Sequence, residues 1–214
     1  LGLWSLGWFA TDGNASLVAT AVATTASILL FTVIGGLFSI LCERAAFSFR
    51  RLEPKYCSLY DKEFWDHERF WKLNYNAFLA AFDGTAMKPF FLRLQGARVG
   101  CRVFDDGAGL TEPSLVEIGD DCMLNFGSGL QSHSLEDGTF KSDRIRIGNN
   151  CTIGTSGFVH YGTRMEDGAI LEADSFLMKG SVVEASTRWA GNPAQDTATF
   201  NQMRSSIDEG TMKW

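Results

Sequence analysis

The 214-residue sequence has no excess of positive charge: 19 Lys and Arg stand against 25 Asp and Glu, a formal net charge of −6. That balance argues against a nucleic-acid partner, which requires a basic stripe or patch, and it suits a cationic small substrate. The five cysteines, Cys42, Cys57, Cys101, Cys122 and Cys151, are an odd number without paired spacing. They imply no disulfide framework and fit a reducing compartment. There is no P-loop, no GxGxxG and no GxSxG, so nucleotide-binding and serine-hydrolase functions lack a motif. Zinc needs three or four ligands, and only His133 and His160 fall in the repeat region; no metal site is expected. Nor does a basic start lead into a short apolar core, as in a signal peptide.

What is present is a beat of six. From Ile147 to Ala194 the first residues of successive blocks are Ile147, Ile153, Val159, Met165, Leu171, Leu177, Val183 and Trp189. The fifth residues are Cys151, Gly157, Thr163, Ala169, Ser175, Ser181, Thr187 and Pro193, nearly all small. Neither a helix nor a single strand has this period. It matches the hexapeptide repeat of a parallel β-helix, in which each short strand ends at a corner and each rung buries what one rung alone cannot. The fold class expected is mainly β: a parallel β-helix preceded by a transmembrane helix and short amphipathic helices.

Leu17 to Leu41 is 25 residues without a charge, long enough at about 1.5 Å per residue to cross the roughly 30 Å hydrocarbon layer. A transmembrane helix is therefore expected over 17–42. Residues 1–10, with Trp4 and Trp8, look like the end of a preceding membrane segment, and the start at Leu1 suggests a piece of a longer protein. Arg44, Arg50, Arg51 and Lys55 follow the span, against Asp12 before it. The positive-inside rule then puts the following bulk in the cytoplasm, at the cell membrane. Residues 43–98 are expected to be interfacial or linker helices. In Tyr60–Leu73 the aromatics Phe64, Trp65, Phe70 and Trp71 line one face, turned to the bilayer interface or to the first coil. His67, among charges, is expected to be a solvated surface histidine.

The β-helix is expected over 99–194, with a C-terminal tail over 195–214. Its phase appears at Val99 and again at Ile118, Leu124 and Leu130. Two loops are expected to interrupt it, 104–117 and 131–146. Insertions in repeat folds fall at corners, often on the binding face. The second is rich in chemistry, with His133, Glu136, Asp137, Lys141 and Asp143. An imidazole there suits a general base for acyl transfer at neutral pH, with Glu136 or Asp137 fixing its tautomer. His160 follows the inward Val159, so strand alternation aims it outward, toward a cleft or a neighbouring subunit. The acids Asp105, Asp106 and Glu112 of the first loop, with Glu136, Asp137 and Asp143 of the second, are candidates for holding a substrate ammonium. The competing reading is that they are solvated loop acids.

Ile147 to Ala194, with the closing Ala190-Gly191-Asn192-Pro193-Ala194, resembles the hexapeptide-repeat acyltransferases. The resemblance implies a left-handed β-helix, assembly as a trimer, a donor pantetheine arm between neighbouring coils, and a loop histidine, here His133, as base. It implies donor contacts at Lys179, Gly191 and Asn192. Phe176-Leu177-Met178 in the donor wall and the additional His160 depart from the pattern. The segments CERAAFSFRRLEPKYCSLYD, FWDHERFWKLN, DGTAMKPFFLRLQGARVGCRVFDDG, QSHSLEDGTFKSDR, GFVHYG and ADSFLMKGSVV resemble the C-terminal end of the poly-ε-lysine synthetase-like nonribosomal peptide synthetases. This implies upstream adenylation and carrier domains, sibling β-helix domains in a trimer or pseudo-trimer, and a phosphopantetheine thioester delivered by the carrier. The implied reaction is amide formation between that aminoacyl thioester and the amine of a cationic amino acid. Transfer from free acyl-CoA, or a non-catalytic copy that only assembles tandem coils, are the competing expectations.

Overall fold

The computed structural model describes residues 17–73 and 77–198. The expected membrane segment over 1–10 and the tail from residue 199 lie outside the described residues.

The six-residue beat builds a left-handed parallel β-helix. Three parallel sheets of five, six and four strands form the sides of a prism, the six-stranded one including an antiparallel terminal strand. Strands two to four residues long stack in register, so that Ile118 lies on Ile147 and then Met165, Leu124 on Ile153 and then Leu171, and Leu130 on Val159 and then Leu177. These inward residues form one continuous core, nearly all of it fully buried. Cys122, Cys151, Thr163, Ala169 and Ser175 fill the crowded second position and are also buried. The thiols of Cys122 and Cys151 donate to the carbonyls of Gly148 and Glu166 at 3.0 and 3.2 Å. Coils approach closely where the sequence has glycine: a Cβ on Gly154 would lie 2.4 Å from the Ala173 nitrogen.

Residues 104–117 are not a loop. Phe104–Asp105 and Gly109–Leu110 are the second and third sides of the first coil, paired with Met123–Leu124 and Gly129–Gln131. The hexad pattern is obscured because Asp105 takes the inward position above which Leu124 stacks, and because the next side is five residues on. Asp105 is fully buried, and its Oδ1 accepts the N–H groups of Gly107 and Ala108 at 3.0 and 2.8 Å. Only Pro113–Leu115, a single 3₁₀ turn, leaves the coil before Val116.

Residues 131–146 are likewise not an irregular loop. His133–Glu136 and Thr139–Ser142 form a hairpin closed by Asp137-Gly138, both at positive φ (52° and 71°), as a tight two-residue turn requires. Lys55–Ser58 adds to Thr139–Ser142 as a third antiparallel strand. A segment expected to be helical linker thus contributes a strand to this arm.

The helix α1, Leu17–Ala46, is 30 residues long, four beyond the expected span. Its large apolar side chains, from Leu17 through Phe31 to Leu41, are exposed. It is one helix long and apolar enough to cross a membrane. Gly35 leaves room for Phe78, whose ring would lie 2.8 Å from a Cβ there; Phe78 belongs to α3, Ala77–Ala80, which follows α2, Lys62–Leu73. The last helix, α4 (Lys88–Gln95), starts with Pro89 and ends at the left-handed Gly96 (φ 106°). It caps the first coil with Phe91 and Leu92 buried.

The face expected on α2 is divided. Phe64 and His67 are buried, whereas Trp65 is 55% exposed; the side chains of Phe70 and Trp71 lie outside the described residues. Phe64 and His67 pack on Phe140 of the hairpin, with ring centroids 5.6 and 4.6 Å away, and His67 also reaches Glu112 at the end of the first coil.

Candidate active site

Each outer face of the prism has its own chemistry. The five-stranded side carries a charge ladder, with Glu117 2.7 Å from Arg98 and 3.6 Å from Arg146. The six-stranded side exposes Phe104 and Met123 in register beside Thr152 and Ile170. The four-stranded side has Gly109, Gly129, Phe158 and Phe176 in one outward row, with the two phenylalanine rings stacked at 5.1 Å. The next outward position of that side places His160 beside Gln131.

His133 begins the hairpin at the corner next to this row and is 9% exposed. Its Nδ1 lies 2.7 Å from Oε1 of Glu112. Glu112 is fully buried. The same Oε1 lies 3.2 Å from Nε2 of His67, and the other oxygen accepts the Thr111 hydroxyl. Burial pushes the Glu112 carboxyl up, but the contacts from His133, His67 and Thr111 outweigh it and bring it down to about 2. Glu112 is therefore an anion at neutral pH. An anion at Nδ1 favours the proton on that nitrogen and the lone pair on Nε2, the tautomer a base requires.

Glu112 is thus the residue at the imidazole, not Glu136 or Asp137. Glu136 is drawn to Lys179, which bonds it directly, with Lys141 at 3.9 Å; the Lys179 ammonium keeps its carboxyl below the usual range. Asp137 occupies the hairpin tip. The solvated role expected for His67 is also overturned: at 1% exposure it is among the most buried side chains, because Phe140 covers one face and Glu112 takes Nε2. Glu112, expected as a loop acid for ammonium, is enclosed by these same groups.

The remaining candidates separate into two places. His160 stays with His133 and Glu136: its Nδ1 accepts the Tyr161 N–H at 3.0 Å. Burial lowers its pKa, with Glu136 and His133 among the charges it senses. Asp143 is exposed at the end of the hairpin and caps the Arg144 N–H at 2.7 Å. Asp105 and Asp106 lie on the first coil near Gly84 and Lys88. There Asp105 serves the core and has no open face toward a substrate. Gly191 and Asn192 form the terminal hairpin, where the Gly191 N–H donates to Ser175 Oγ at 3.0 Å. Among the described residues no group of three metal-ligating side chains converges.

Among the described residues, one cavity of about 660 Å³ opens between Phe47, Arg50, Arg51, Lys55 and Asp66, and one of about 360 Å³ beside Gly191 and Pro193. His133 lies at the corner between the hairpin and the four-stranded side that carries Phe158–His160.

No family model matches the chain. It is 32% identical over 185 residues, 85% of its length, to delta-poly-L-ornithine synthetase of Acinetobacter baumannii strain AB307-0294. The chain spans 14% of the length of that relative. Among solved structures it is similar to a galactoside acetyltransferase in complex with coenzyme A (TM-score 0.48, 17% identity, covering 66% of this chain and 84% of that one). It is also similar to a maltose O-acetyltransferase of Clostridium difficile 630 (TM-score 0.46, 16% identity, covering 67% and 91%).

Proposed function

The chain belongs to the hexapeptide-repeat, acyltransferase-like domains of the poly-amino-acid synthetases, and we propose that it joins a carrier-bound aminoacyl thioester to the amine of a cationic amino acid. The observation that carries this reading is the buried Glu112 at His133 Nδ1. His133 Nε2, in the tautomer that Glu112 favours, takes a proton from the attacking nitrogen as the C–N bond forms. The tetrahedral adduct then collapses, the C–S bond breaks, and the proton leaves with the pantetheine thiolate. Base help of this kind contributes about 10²–10⁴-fold, and holding thioester and amine together contributes further.

The thioester arrives on a phosphopantetheine arm from an upstream carrier domain charged by an adenylation domain. It runs toward the Lys179 and Gly191–Asn192 end of the coil. The amine, from ornithine or a similar diamino acid, meets the acid-bearing arm. A sibling coil completes the site beside the outward Phe158–His160 row. A ring-like trimer or pseudo-trimer needs two unlike, complementary patches. The exposed Phe104–Met123 side of one coil and the Phe158–His160 side of the next meet that need. Helix α1 crosses the cell membrane: its length and exposed apolar surface suit the hydrocarbon layer, and Arg44, Arg50, Arg51 and Lys55 keep the coil on the cytoplasmic side.

The test is reconstitution of the intact synthetase with radiolabelled amino acid and His133→Ala in this domain alone. At least a tenfold fall in product is expected. An unchanged rate and chain length would remove His133 from the mechanism, and product undiminished after replacing both His133 and His160 would favour a non-catalytic copy. Acetylation of the amine from acetyl-CoA, with no thioester-dependent product, would favour the acyl-CoA transferase reading.

A further inference from the structure

We propose that His67 is a positioning residue for His133, acting through the Glu112 oxygen that both imidazoles share. The proposal rests on His133 being the base.

A fully buried imidazole must find a polar partner, and an apolar side chain would fill the space under Phe140 without that requirement. Helix α2 nevertheless puts an imidazole there and directs Nε2 to Glu112 Oε1 at 3.2 Å, the atom that lies 2.7 Å from His133 Nδ1. Phe140 lies against both rings, its centroid 4.6 Å from His67 and 5.9 Å from His133. The two imidazoles are therefore fixed on one carboxylate and cannot move independently.

The electrostatic consequence has one sign. A neutral His67 donates to Oε1 and withdraws charge that would otherwise stabilise the His133 imidazolium. A protonated His67 repels that imidazolium directly. In either state His67 weakens the hold of His133 on a proton. The geometry makes the strength of the base depend on what else the shared oxygen accepts. Among the described residues, His160 on the coil wall is a further titratable group beside His133, and it in turn senses Glu136 of the hairpin and Lys179 of the later coil. Glu136 and Lys179 neutralise one another, which leaves Glu112 as the anion that His67 can govern.

The chain has three histidines, so ¹³C labelling of their imidazoles gives three signals that single substitutions assign. In the whole chain in detergent, His67→Leu is expected to raise the titration midpoint of His133 by about one unit, tenfold in proton affinity. His67→Gln, whose amide nitrogen reaches the same position, should restore most of it. In the intact synthetase the acid limb of the kcat profile should move up by the same amount, with KM unchanged. A folded His67→Leu chain whose His133 midpoint stays put would overturn the proposal. The unsubstituted chain gives a second test independent of variant folding: the His67 signal should shift as His133 titrates, and an inert His67 signal would also overturn it. A displaced midpoint with no change in kcat would support the coupling while removing His133 from the reaction.

Discussion

Replacing Glu112 by Gln separates the charge of the buried carboxylate from its shape. Oε1 faces both imidazoles and Oε2 faces Thr111. A glutamine amide fits with its carbonyl toward the imidazoles and its NH₂ toward the Thr111 hydroxyl, which can turn to accept. The His67 and Thr111 hydrogen bonds and the oxygen at His133 Nδ1 are kept, and the charge is lost. A hydrogen bond to a charged group contributes about 1.5–3 kcal/mol, a neutral one about 0.5–1.5. The imidazolium formed during turnover would lose about 1–2 kcal/mol of support, roughly five- to thirtyfold in rate. Glu112→Ala removes the acceptor as well, so His133 is no longer held in the base tautomer. Its loss should grow to about 10²–10⁴-fold, with about 3–5 kcal/mol of stability lost when a buried pair is broken. Single-turnover amide formation, followed beside thermal unfolding, measures both. A folded Glu112→Gln protein turning over at the original rate would refute the role of the charge. Equal losses in Gln and Ala would refute the separation of charge from tautomer.

Two further outcomes follow from buried groups. The stability that Glu112 contributes is fully present above its ordinary 4.5 and lost as pH falls toward about 2; His160, whose protonation burial opposes, adds a loss that begins as pH falls below 6.5. The melting-temperature advantage of the unsubstituted chain over Glu112→Gln should therefore shrink as pH falls from 4.5 toward 2, and a pH-independent difference would contradict this. Asp105, raised by burial, contributes stability only below the ordinary carboxylate range and loses it as pH rises. Asp105→Asn keeps the Oδ1 contacts to Gly107 and Ala108, so a higher melting temperature at pH 7 and unchanged turnover are expected. Slower turnover would restore Asp105 to the substrate site.

The coil was legible from Ile147 onward because each inward position there holds an apolar residue six after the last, without a break. The first coil was not, because Asp105 stands inward and the Asp105–Leu110 side is one residue short. That gap hid Glu112. Once Leu110 is known to lie under Leu130, residue 112 falls beneath Ser132 and His133, but no local pattern announces it. The hairpin did have a signal: Asp137-Gly138 between alternating residues marks a two-residue turn. The charged neighbours of His67 pointed to solvent, whereas its environment is set by Phe140 and Glu112, residues 73 and 45 positions away in sequence. Tertiary packing overrides such local cues.

The strand Lys55–Ser58 borders the hairpin that begins with His133. A version of the chain trimmed to begin at the first rung would keep the strands of its prism, the part that circular dichroism of a β-helix reports. It would nevertheless strip the outer edge from the arm and remove the helix that braces it from behind. The leash to the apolar helix is also scaffolding for the reaction centre, and the two cannot be dissected by a cut between them.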